Sequence, residues 1–137
     1  MSPLISRLAR VLPAVAYMLA IFYLGSLPPG RELTPSMNDK LLHAIGFAAL
    51  VPLNLLAAGA LLAAWPHRAR LGAAAAVAVV VGGLLEVHQL LFTRRSAELA
   101  DWVADIVGIV ASAALIAAYR ASRPPPEEAS VAPTGER

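Results

Sequence analysis

Cysteine is absent from the 137 residues, which excludes a disulfide framework and any thiolate metal site. Charge is scarce as well. Asp, Glu, Lys and Arg make up 15% of the chain, against about 25% in a soluble domain. The formal net charge of +2 is small and scattered, so no nucleic-acid partner is expected. Aromatic residues are few, and neither an HExxH metal motif nor a recognisable nucleophile motif occurs. What is present is apolar: 58% of the residues are hydrophobic and the mean hydropathy is +0.67. Soluble domains hold about 45–50% apolar residues. These values describe an integral membrane protein made almost entirely of its spans.

Four apolar runs are visible, at 11–27, 41–65, 71–92 and 102–119. Each approaches the roughly 20 residues that a helix needs to cross about 30 Å of hydrocarbon. They lack the alternation of barrel strands, which leaves helices as the structure that satisfies the backbone in lipid. Pro28-Pro29-Gly30 follows the first run and Pro66 the second, while Pro52 lies inside the second at a position for a kink. The first run follows Arg7 and Arg10 but is long for a signal peptide and lacks an Ala-x-Ala-like site, so it is expected to be a retained anchor. The expected organisation is an all-α, four-helix transmembrane bundle over 1–122, with a disordered polar tail over 123–137 that contains Pro124-Pro125-Pro126.

Orientation follows from the basic residues. Arg7 and Arg10, Arg68 and Arg70, and Arg120 and Arg123 mark the amino terminus, the second loop and the end of the fourth run. By the positive-inside rule these places are cytoplasmic, so both termini lie inside and the first and third loops outside. This frame gathers polar residues at one membrane face. Asp39, Lys40 and His43 open the second span, Glu86 and Gln89 lie near the end of the third, and Asp101 and Asp105 begin the fourth.

The directions agree too. At 3.6 residues per turn, Asp101, Asp105, Gly108 and Ser112 share an arc of about 60° suited to close helix contact. Asp39, His43, Gly46, Leu50 and Asn54 share a similar arc, with Phe47 beside it, and Glu86 sits above Val79 and Gly82. His88 points away from Glu86 and reads as an interfacial or helix-contact residue. A carboxylate at the bilayer centre costs about 2.5–3.5 kcal/mol on insertion scales, so Glu86 and Asp105 should face the bundle, paired with a cation or protonated. Arg94, Arg95, Lys40 and His43 are the candidate partners. The plain alternative is a set of salt bridges and helix caps that hold short spans together.

The motifs "DKLLHAIGF" (Asp39, Lys40, His43, Phe47), "EVHQ" (Glu86, Gln89), "RS" (Arg95, Ser96) and "DWVADIVG" (Asp101, Asp105, Gly108), with Ser26 in "YLGSLPPG", occur in this order. In that order and spacing the chain resembles the VanZ-like family of small bacterial membrane proteins. It departs at Asp105, where many members have Asn, and at Arg94, where a glycine often stands. The resemblance implies a bacterial inner-membrane location and a role at the cell envelope, the family being named for a protein linked to resistance to the glycopeptide teicoplanin.

Three functions are compatible with these residues. The first is an outward-facing polar pocket of Asp39, Lys40, His43, Glu86, Gln89, Arg95, Asp101 and Asp105. It would bind or modify an envelope ligand, such as a lipid-linked cell-wall precursor or a glycopeptide, with Arg95 and Lys40 or Arg94 meeting phosphate or carboxylate groups. The second is a membrane-embedded enzyme in which His43 with Glu86 or Asp105 forms an acid/base pair. No metal or other cofactor is expected, although His43, Glu86 and Asp105 or Asp101 form an N/O set compatible with zinc or manganese. The third is a structural or partner-docking protein, with membrane lipids as its surroundings. A channel is disfavoured, because apart from Asn54 the polar groups occupy one end only.

Overall fold

A computed structural model describes residues 2–27, 38–93 and 98–123. It consists of four helices, α1 (Pro3–Gly25), α2 (Asp39–Leu61), α3 (His67–Phe92) and α4 (Leu99–Ala121). The shortest have 23 residues, about 35 Å of rise, and all four are long and apolar enough to cross a membrane. The chain is a multi-pass membrane protein. The Pro28-Pro29-Gly30 break and the tail from 124 onward lie outside the described residues.

The helix ends follow local chemistry rather than the hydrophobic runs. α1 begins eight residues before its apolar run, because the Ser2 side chain accepts from the Ile5 N–H and Pro3 occupies the first turn, where a missing N–H costs nothing. α2 starts at Asp39, capped by the Asn38 side chain on the Lys40 N–H. It stops at Leu61, short of the run's end, and a turn through Trp65 leads into Pro66. Proline disfavours helical backbone in the residue before it and suits the start of the next helix. α2 continues through Pro52 without ending.

α2 is the central element. It packs on α1, α3 and α4, while α1 rests mainly on α2 and meets α3 only lightly. The core is built from Phe47, Leu50 and Val51 of α2, Ala78, Val81 and Leu85 of α3, and Ile109 of α4. Most other large apolar side chains, including Leu19, Leu90, Val107 and Leu115, are exposed, as expected for surfaces solvated by lipid.

Without a hydrophobic force between helices in lipid, association rests on close packing and hydrogen bonds between helices. Each contact has such a pin. The Tyr17 hydroxyl donates to the Gly46 carbonyl (3.1 Å), Asn54 Nδ2 to the Ala74 carbonyl (3.1 Å) and Trp102 Nε1 to the Val79 carbonyl (3.4 Å). At Gly108, α2 and α4 approach so closely that a Cβ there would lie 2.0 Å from the Ala44 carbonyl oxygen. The small-residue stripe below Asp105 is thus a helix contact.

Candidate functional site

The end of α1, the start of α2, the end of α3 and the start of α4 lie together at one end of the bundle. The six arginines used for orientation sit at the helix ends on the opposite side. Counting 1.5 Å per residue from the helix termini, His43 lies about 6 Å below its end, and Glu86 and Asp105 each about 9 Å below theirs. Three helices therefore bring three ionisable groups to nearly one depth.

His43 Nδ1 and Asp105 Oδ1 are 2.9 Å apart, with the Asp105 side chain fully buried and that of His43 10% exposed. With Asp105 ionised its oxygen only accepts, so Nδ1 carries the hydrogen, and in the neutral imidazole Nε2 is then the acceptor nitrogen. Nε2 makes no hydrogen bond among the described residues. Glu86 stands beside the pair. Its Oε2 accepts from the backbone N–H of Glu98 (3.1 Å) at the start of α4, which links the end of α3 to α4.

Two oxygens of this cluster, Glu86 Oε1 and Asp105 Oδ2, are buried without a hydrogen-bond partner among the described residues. Gly82 makes room for the second, since a Cβ there would lie 2.9 Å from Asp105 Oδ2. Unpaired buried polar atoms cost about 1–3 kcal/mol each, more if charged, and two carboxylates in a weakly polar medium need positive charge nearby. Ligand atoms of His43, Glu86 and Asp105 lie within 4.8 Å of one another, as do those of Asp39, His43 and Asp101. Either set is of the mixed N/O type that accepts zinc or manganese.

The remaining candidates divide. Lys40 bridges Glu98 (3.0 Å) and Asp101 (3.1 Å), so it pairs at the rim and not with Glu86 or Asp105. Asp39 is exposed at the start of α2. Gln89 is buried but turned away from Glu86, donating to the Gly25 carbonyl of α1 (3.2 Å). Gly46, placed on the inward arc with His43, instead faces open space and offers its carbonyl to Tyr17. Arg94, Arg95 and Ser96 lie outside the described residues.

His88 is a helix contact. Its Nε2 lies 2.8 Å from Ser26 Oγ, and its ring packs between Phe22 and Phe92. The Ser26 hydroxyl donates to the Phe22 carbonyl at 2.6 Å, so it accepts from His88 and is not an activated nucleophile.

Beside His43 a cleft of about 340 Å³ runs between α1 and α2, reaching from Asp39 down to Tyr17. Sequence reading missed Tyr17 and Glu98. A tyrosine in mid-span, away from the interfacial belts that tyrosines prefer, was the available signal for the first. The backbone role of Glu98 leaves no mark on its side chain.

No protein-family model, curated protein or solved structure matches the chain.

Proposed function

We propose that the chain is a membrane-embedded enzyme of VanZ-like type, acting at the outer face of the bacterial inner membrane with both termini in the cytoplasm. His43 is its acid/base group and the polar part of an amphiphilic envelope ligand its target. One observation carries this reading: a buried carboxylate holds His43 by Nδ1 and leaves Nε2 unbonded beside an accessible cleft. A carboxylate on one ring nitrogen selects the tautomer whose other nitrogen accepts a proton. Glu86 contributes a second carboxylate that stabilises the imidazolium as it forms.

In the reading in which cationic side chains clasp a phosphate, Arg94 and Arg95 lie outside the described residues and Lys40 is already shared by two carboxylates. A lipid-linked cell-wall precursor is the substrate class that suits both the depth of the site and the envelope role. Purified protein in nanodiscs should turn over such precursors, detected by mass spectrometry, and Asp105→Ala and His43→Ala should each lose the activity while still inserting. Loss of teicoplanin tolerance in cells should accompany it. Unaltered turnover and tolerance in both variants would remove the proposal.

The two unpartnered buried oxygens favour a second reading, in which His43, Glu86 and Asp105 hold a divalent cation. Two carboxylates and a neutral imidazole balance a +2 ion, and such an ion would supply Lewis-acid polarisation of the ligand's head.

A further inference from the structure

We propose that the cleft between α1 and α2 is a lateral doorway from the bilayer, occupied by one hydrocarbon chain of a lipid whose polar head reaches His43. This rests on the reading of His43 given above and adds how its ligand arrives.

The cleft has the polarity of an amphiphile. Its walls are Tyr17, Ile21, Leu24, Leu42 and Phe47, while Asp39 and His43 lie at one end. The Tyr17 hydroxyl is spent on the Gly46 carbonyl, so the lower part offers mainly ring and aliphatic surface. His43 belongs both to this cleft and to the Asp105 pair, which makes the groove continuous with the site. At about 340 Å³ it falls within the ~300–1,000 Å³ of small-molecule sites.

Its depth identifies the occupant. Tyr17 lies eight residues below Gly25 and Gly46 seven below Asp39, so the cleft descends roughly 10–12 Å along the spans, alongside hydrocarbon. Water has too few polar partners there to fill it. The side chains of Ala20, Leu24 and Ile45 along the opening are exposed, so a lipid already in the bilayer meets the opening directly.

The fold keeps the gap open. In the most apolar part of α1, 11% of the residues are buried, against 33% in α2, and α1 makes no packing contact with α4 among the described residues. At Gly46 a Cβ would meet nothing within 4 Å. A larger residue at this position fills the groove without touching the partners of His43.

The test uses the full chain in phosphatidylethanolamine/phosphatidylglycerol nanodiscs doped with a phospholipid that carries a diazirine in one acyl chain. After photolysis, labelled residues are mapped by mass spectrometry. Labelling of Ile21 and Leu42 should exceed that of the lipid-facing Leu115 at least fivefold and be displaced by excess unlabelled lipid. Gly46→Leu should return it to the Leu115 level, and Ala20→Leu, which fills the groove from α1, serves if Gly46→Leu misfolds. Equal labelling at all three positions, or labelling indifferent to both variants, overturns the doorway.

His43→Ala separates the two proposals. Persisting cleft labelling with lost turnover supports both. Turnover that survives His43→Ala while Gly46→Leu still empties the cleft retires the catalytic reading and leaves the doorway standing.

Discussion

Gly108→Ala is the sharpest perturbation available in this molecule. The added Cβ would lie 2.0 Å from the Ala44 carbonyl oxygen and 2.7 Å from its carbon. Backbone cannot swing aside as a flexible side chain can. Restoring an ordinary contact near 3.4 Å requires α2 and α4 to part by about 1.4 Å. Ala44 adjoins His43, and Gly108 lies one turn from Asp105, so the same movement stretches the 2.9 Å His43–Asp105 contact beyond the ~3.2 Å limit of a hydrogen bond. Overpacking alone costs about 1–3 kcal/mol, and the buried pair is lost in addition, so a destabilisation of about 3 kcal/mol or more is expected. The assay is equilibrium unfolding in mixed micelles, with Gly72→Ala as the control. Gly72 has nothing within 4 Å of its Cβ position, and the control should be neutral or gain up to about 1 kcal/mol from helix propensity. If the two variants prove equally stable, the close α2–α4 approach is wrong, and so is the explanation of how His43 and Asp105 are held.

Further outcomes follow from the same geometry. Asp105→Asn keeps an acceptor for His43 Nδ1 and should stay folded, whereas Asp105→Ala leaves the imidazole N–H without its partner and should cost about 1–3 kcal/mol, read by the same unfolding equilibrium. Asn54→Leu removes the bond to the Ala74 carbonyl and should cost about 0.6 kcal/mol and no more than about 1.7 kcal/mol, the mean and the maximum for hydrogen bonds between spans. If His43, Glu86 and Asp105 hold a divalent cation, micromolar Zn²⁺ or Mn²⁺ should raise the melting temperature of the wild-type protein but not of Glu86→Gln. A wild-type melting temperature indifferent to both ions rejects that reading. Gln89→Leu should loosen α1 without abolishing turnover, because Gln89 binds the Gly25 carbonyl and not the His43 cluster.

Much of this organisation follows from one-dimensional information. Hydropathy specifies four spans, because each backbone polar group in hydrocarbon must be satisfied within its own helix. The spacing of Asp101, Asp105 and Gly108, and of Asp39 and His43, places carboxylates, imidazole and small residues on shared faces, because helical periodicity is local geometry. Helix ends were less legible. Capping by Ser2 and Asn38 and the constraint of Pro66 act below the resolution of a hydropathy window.

What only the tertiary structure decided is which polar group meets which. Lys40 turned to Glu98 and Asp101, Gln89 to the backbone of α1, and Gly46 to a cleft rather than to the core. Helix spacing gives a residue a direction but not a neighbour. The neighbour depends on the rotation and separation of two helices, here set by the Gly108–Ala44 contact between residues far apart in the chain. The sequence by itself determined a four-span membrane bundle with Asp39, His43, Glu86, Asp101 and Asp105 at one end. The pairing of His43 with Asp105, and the groove beside it, arose from helices packing at distances that no single segment encodes.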